Sequence, residues 1–284
     1  MNDVENFVVL TLVKSAPLIF AALAGVICER AGILNIALEG ALAAAAFGAV
    51  AATYATGSPL VGIAAGMLCG ALVCGALGVA ATRFGVDQIV AGTGLNVIAV
   101  AAAAFGVAVV WGAAGVSPEV ASLGNTGQTI LIFVAIALAF GVHLVLERTP
   151  FGLRLRACGE NPRAVRSAGI DPQRMRVIAT LIAGAIAGLG GVYLSLAELS
   201  LYSDGMTAGR GFIALAAVIF GRWTPLGACA AAIAFGALSA LQFSLQRAGI
   251  PSEFMQALPY LAALLALAGI AGRARAPAAD GVPF

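Results

Sequence analysis

RTPFGLRLRACGENPRAVRSAGIDPQRMR, residues 148–176, holds seven arginines against two acids, Glu160 and Asp171. The residues on either side are almost wholly apolar. Lys and Arg resist translocation through a bilayer, so a basic segment between long apolar runs belongs on the cytoplasmic face. Asn161 is a capping residue, and Pro162 suits the first helical position, whose N–H would have no partner anyway. Gly169 can take the left-handed conformation that ends a helix. The stretch predicts a two-turn helix over 162–168 lying on the cytoplasmic surface. These residues alone leave two uses open: a loop that only sets topology, or an element that docks another protein.

The 284-residue chain as a whole is 61% hydrophobic and 10% charged, with a mean hydropathy of +1.02. Soluble domains run at about 45–50% apolar and about 25% charged, so this is an all-α, polytopic membrane protein. The net charge of +2 describes no nucleic-acid-binding face, because the arginines are concentrated in one loop. With 36 glycines and 7% aromatics, helix packing is expected to rest on close backbone approach. Cys28, Cys69, Cys74, Cys158 and Cys229 show no CxxC spacing, and read as small buried hydrophobes rather than a metal or redox centre. His143 is the only histidine, so one chain holds no multi-His metal site; it is expected in a helix near the cytoplasmic end of its span. MNDVENF has no basic residue, and Asp3 and Glu5 precede the first apolar run, which argues against a cleaved signal peptide.

Candidate spans, each near the ~20 residues a bilayer requires, fall at about 7–27, with Lys14 and the helix-bending Pro17, then through 28–40 to about 56. Others follow at 60–82, 89–111, 128–146, 177–197, a short 211–221, 226–245 and 255–271. With 148–176 inside, five spans precede it and the N-terminus falls outside. Four follow it and return the C-terminus to the inside, with Arg222, Arg273 and Arg275. Arg83 also falls inside, and the base-free loop 112–127 outside. The charges therefore agree on about nine transmembrane helices with broken or re-entrant segments, in one domain over 1–284. AGTGLNVIAVAAAAFG (91–106) and AGRGFIALAAVIFG (208–221) are weakly similar, as two repeated halves would be; an Ala-rich chain also yields such matches by chance.

Polar groups interrupt three apolar stretches. Glu29, Arg30, Asn35 and Glu39 break what would otherwise be one run. A charge at the bilayer centre costs roughly 2.5–3.5 kcal/mol on insertion scales. Glu29 and Arg30 read as an interfacial, locally paired couple. Asn35 and Glu39, spaced i,i+4, would share one helix face and line a polar path. Asn96 either bonds a neighbouring helix or faces a solute. Asp204 and Arg210 either gate an outer mouth or are simply solvated.

No GxxxxGK[ST] occurs and Lys14 is the only lysine, so no P-loop is expected and ATP hydrolysis is assigned elsewhere. No HExxH, nucleophile elbow or carboxylate pair stands out, so neither catalytic residues nor a metal are expected. An intramembrane enzyme would need two or more polar catalytic groups at one depth, and no such set is visible.

Five motifs occur in order: ERAGILNIALEG (29–40), VAGTGLNVIA (90–99), TPFGLRLRACGENPRAVRSAGI (149–170), MTAGRGFIALAAVIFGRWTPLGA (206–228) and IPSEFMQALPYL (250–261). Together they resemble the permease subunits of bacterial ABC importers for nucleosides and simple sugars, relatives of the ribose permease. The resemblance covers nearly the whole chain, but this sequence lacks the extra N-terminal span of the ribose type. It implies a multi-pass protein of the bacterial inner membrane, among lipid, paired with a second permease, either a paralogue or a second copy. It also implies a periplasmic or lipid-anchored binding protein and a cytoplasmic ATP-binding subunit that uses ATP and magnesium, with no cofactor in this chain. The helix at Glu160–Gly169 then becomes a coupling helix seated in the ATPase. Arg163 and Arg166 would be its docking charges, with Glu160, Asn161, Pro162 and Gly169 fixing its ends. Asn35, Glu39 and Asn96 would lie near the translocation path. The alternative is a stand-alone secondary transporter for a small polar solute, with Glu39 as its proton-coupling group.

Overall fold

Inside a bilayer no water is at hand to pair backbone N–H and C=O groups, so an apolar chain closes them within helices. The computed structural model describes residues 3–246 and 275–282. Among them the chain is helical apart from its turns, with one isolated bridge between Val116 and Ser203. The expected span at 255–271, the motif at 250–261 and Arg273 lie outside the described residues.

Helices α1 (Asp3–Arg30), α2 (Leu38–Thr56), α3 (Pro59–Arg83), α4 (Gln88–Trp111) and α5 (Gly124–Arg148) follow in order. Two short helices, α6 (Pro150–Glu160) and α7 (Pro162–Ser167), lead into α8 (Pro172–Val192), which continues as a π-helical segment, Tyr193–Leu199. Then come α9 (Arg210–Phe220) and α10 (Pro225–Gln246). Seven helices are long and apolar enough to cross a membrane: α1 to α5, α8 with its extension, and α10. The eleven residues of α9 rise about 16 Å, half of a hydrocarbon core of about 30 Å. Of the nine expected crossings, the described residues therefore supply seven full-length helices and the one half-helix. The basic stretch is also more ordered than a loop: α6 fills 150–160, where no helix was expected.

Every residue of α1 from Ser15 to Glu29 is buried, as in a helix that is apolar all round. It is enclosed by α8, α9, α10 and α5, with α2 on the remaining side. Helices α1 and α10 run antiparallel, since Gly236 meets Ser15 while Trp223, just before α10, meets Glu29. The outer faces of α3, α4 and α5 present Leu68, Leu72, Phe105, Phe133 and Phe140, all exposed, which suits contact with acyl chains. Ala279 donates its N–H to the Gly159 carbonyl (2.8 Å), so the described C-terminal segment lies at the α6–α7 end of the bundle, opposite Asp3. At the other end, the 112–123 loop is stitched to 196–204: Ser117 N–H donates to the Tyr202 carbonyl and Val120 N–H to the Ser200 carbonyl, each at 2.9 Å.

The tightest seam is between α3 and α8. A Cβ on Gly70 would lie 2.3 Å from the Gly184 carbonyl oxygen, and one on Gly188 2.6 Å from that of Gly66. Two small-xxx-small pairs thus face each other, backbone against backbone. Gly70→Val is expected to wedge this seam open at a cost of about 1–3 kcal/mol and to lower the thermal unfolding temperature in detergent. Gly141→Ala, at a glycine with open space around it, is the matched substitution expected to leave that temperature unchanged.

Candidate functional site

Gly32, at φ +87°, turns the chain out of α1, and residues 31–37 run without a helix before α2 starts at Leu38. A helix starting inside the bundle exposes N–H groups with no partner in their own helix. Asn96 of α4 supplies one of the missing partners. Its Oδ1 accepts the Gly40 N–H at 2.7 Å and its Nδ2 donates to the Ile36 carbonyl at 2.8 Å. It thus does for the backbone what a further turn of helix would have done.

Helix α9 starts beside the same point. Both carboxyl oxygens of Glu39 are engaged, Oε1 accepting from Gly209 N–H (2.9 Å) and Oε2 from Gly211 N–H (2.7 Å). Glu39 lies in the first turn of α2 and caps the first turn of α9, so the positive ends of two helix dipoles converge on one acidic side chain. Glycine is required here on steric grounds. A Cβ on Gly211 would lie 2.4 Å from the Glu39 nitrogen, and one on Gly40 would lie 2.9 Å from the Asn96 Cα.

Glu39 and Asn96 are therefore brought together, with relative exposures of 9% and 7%. Asn35 is not on the helix of Glu39: it precedes α2 in the 31–37 turn, so the expected i,i+4 face does not form. Its Nδ2 instead points at Cys28 Sγ and Cys74 Sγ, each at 3.3 Å, and its Oδ1 is buried without a partner. The expected Glu29–Arg30 pair is also replaced. Both belong to α1 and both clasp Trp223, which donates its Nε1–H to Glu29 Oε2 (2.5 Å) while its carbonyl accepts from Arg30 Nε (2.7 Å). Asp204 and Arg210 form no ion pair among the described residues; Arg210 Nη1 folds back on the Met206 carbonyl (2.6 Å).

At the α6–α7 end the sequence folds by a repeated device. Thr149, Asn161 and Asp171 each precede a proline, and each accepts N–H bonds at the start of α6, α7 and α8. For Asn161 the bond comes from Ala164 at 3.1 Å, and Gly169 turns left-handed at φ +80°. Only the middle copy was read from sequence, though Thr-Pro and Asp-Pro carry the same signal. Arg163 and Arg166 are exposed and Pro162 is buried. Glu160 accepts an N–H from Ala278 (3.3 Å). Between α6 and α7 lies a groove lined by Leu153, Ala157, Ala164, Val165 and Ile170, with Arg154 at its edge. Burial raises the Cys158 thiol above its usual range. All five cysteines are free, and no cluster suited to a metal occurs among the described residues.

Residues 7–272 match the family described as branched-chain amino acid transport system / permease component. The guanosine ABC transporter permease protein NupQ of Bacillus subtilis is 40% identical over 302 aligned residues, covering 96% of this chain and 94% of that protein. The nucleoside ABC transporter permease protein NupC of Lactococcus lactis is 35% identical over 310, covering 100% and 98%. A glucose ABC transporter permease protein of Haloferax volcanii is 26% identical, covering 88% and 74%.

Asn96→Leu keeps the side-chain bulk but strands the Gly40 N–H and the Ile36 carbonyl, each at about 1–3 kcal/mol. It is expected to lower the melting temperature in detergent by roughly 5 °C or more. A variant melting with the native protein would show that these two bonds carry no stability.

Proposed function

This chain belongs to the permease-component family that its residues 7–272 match and is a permease subunit of an ABC importer, and we propose that the solute it passes is a nucleoside. The observation that carries the substrate class is full-length similarity to a guanosine permease and a nucleoside permease, against a lower identity to a glucose permease. A related nucleobase or simple sugar is the nearest competing solute.

The starts of α2 and α9 meet at Glu39, next to the amide of Asn96 and four residues on from Asn35. Transporters commonly place polar ligands where interrupted helices face each other. Asn35, Glu39 and Asn96 are accordingly proposed to border the path, with Glu39 and Asn96 holding the interrupted backbone in place. A polar, bond-rich wall suits a solute handed over by a separate binding protein and released quickly.

The partners follow from the importer architecture. Helix α7, with Glu160, Asn161, Pro162, Arg163, Arg166 and Gly169, is the proposed coupling helix, seated in a cytoplasmic ATPase that binds ATP and magnesium. The groove beside it, walled by Leu153 and Val165, gives that contact an apolar floor. A second permease, paralogue or second copy, completes the pathway beneath a periplasmic or lipid-anchored binding protein. The whole is placed in the bacterial plasma membrane, with the N-terminus outside and the basic α6–α7 end in the cytoplasm. Asp3 and Ala279 lie at opposite ends of the bundle, which supports an odd number of crossings such as nine. ATP binding then closes the ATPase, moves α6 and α7, and switches which side the path faces.

Uptake of labelled guanosine by cells carrying the complete importer tests the reading. Uptake should survive collapse of the proton gradient while ATP is retained; loss of uptake on that collapse would favour a secondary transporter instead. The double variant Arg163→Glu with Arg166→Glu is expected to cut ATP-driven uptake at least tenfold with an unchanged amount of protein in the membrane. Normal uptake would remove α7 from the coupling role.

A further inference from the structure

Arg176 is the largest fully buried side chain among the described residues, at 1% exposure. A buried guanidinium has five N–H groups to satisfy, and this one spends three of them on backbone carbonyls from two distant parts of the chain. Nε donates to the Ala31 carbonyl (3.1 Å), Nη1 to that of Val282 (3.1 Å) and Nη2 to that of Ala279 (3.2 Å). Ala31 lies just past the end of α1, where a helix dipole favours a cation. Gly32 is cut to fit: a Cβ there would lie 2.5 Å from Nη2.

The segment it holds is bound again on its other side. Ala279 N–H donates to the Gly159 carbonyl (2.8 Å) and Ala278 N–H to Glu160 Oε2 (3.3 Å). A Cβ on Gly159 would in turn lie 2.3 Å from the Arg30 carbonyl oxygen. Residues 278–282 thus form a strap that joins α6 to α8, while Arg176 ties both to the 31–37 turn. Asp280 lies within electrostatic reach of Arg176, though burial pushes its carboxyl up to about 7 and one of its oxygens has no hydrogen-bond partner. The joint depends on a planar fork of donors, which a lysine cannot reproduce.

We infer that Arg176 is a positioning residue that makes the 31–37 turn, and through it Asn35 and Glu39, move with the coupling segment, the strap acting as the tie between them. The inference rests on the proposed coupling role of α7. Without this joint, α6 and α7 could shift under the ATPase while the path stayed where it was.

The test uses the complete importer in proteoliposomes, reading guanosine taken up per ATP hydrolysed. Arg176→Lys and a deletion of residues 275–284 are compared with the native chain, and co-purification of the ATPase confirms assembly. Both are expected to keep hydrolysing ATP while uptake per ATP falls at least tenfold for Arg176→Lys and at least threefold for the deletion. A purely structural role would lower the yield and leave that ratio unchanged. Should Arg176→Lys fail to insert, the deletion decides alone, since it spares the arginine. A ratio within twofold of native in each variant that assembles overturns the inference. If Arg163→Glu with Arg166→Glu uncouples while these variants do not, only the present inference has failed; if that double variant transports normally, the coupling reading fails beneath it.

Discussion

A helix that starts inside a membrane bundle must find partners for several backbone N–H groups where water is absent. Here two helices, α2 and α9, start within the bundle, and two side chains meet the need. Glu39 takes the Gly209 and Gly211 N–H groups, and the Asn96 amide takes the Gly40 N–H while giving its own to Ile36. Most of what is unusual nearby follows from that requirement. Glycines stand at 40 and 211 because backbone must reach side chain closely. An acid stands in an apolar stretch because its two oxygens can take two N–H groups from the start of α9. The polar groups that make a route for a solute thinkable are the same ones that make the broken fold stable.

Much of this was legible, for local reasons. The helical spans follow from hydropathy, and α9 was visible as a short segment, though it was counted as one of the nine crossings. The α7 helix could be read nearly to the residue because Asn161, Pro162 and Gly169 act through bonds within a few positions of themselves. The rest depended on contacts that no short window contains. Asn96 faced two open readings, and its partners at 36 and 40 lie 60 and 56 positions away. Asn35 and Glu39 were given a common helix because their spacing allows one, but Gly32 and the cap from Asn96 delay α2 until Leu38. Glu29 and Arg30 seemed natural partners as neighbours, yet Trp223, 194 and 193 positions on, claims both.

The arginines of 148–176 make the same point about charge. Counted as a group they give the expected topology, and six of the seven are exposed or half-exposed. The seventh, Arg176, has the same composition signal and the opposite environment. What buries it is a segment about 100 residues later. Charge density places a segment on one side of a membrane; it does not say which member of the set is part of the machinery.

The glycine seam between α3 and α8 has a mechanical consequence. Helices that interlock through bulky side chains occupy a few discrete registers, and sliding one past the other means unseating each knob. Gly66, Gly70, Gly184 and Gly188 bring bare backbone together in the middle of the seam, while Thr180, Leu181 and Val192 of α8 seat against Gly78, Gly75 and Gly66 of α3. A small displacement along its length has only those few side chains to unseat. The height of α8 against α3 is then governed by what is fastened to its ends: the π-helical segment and its stitched loop at one, and Arg176 with its carbonyls at the other. In such a design the interior is the bearing and the termini are the controls.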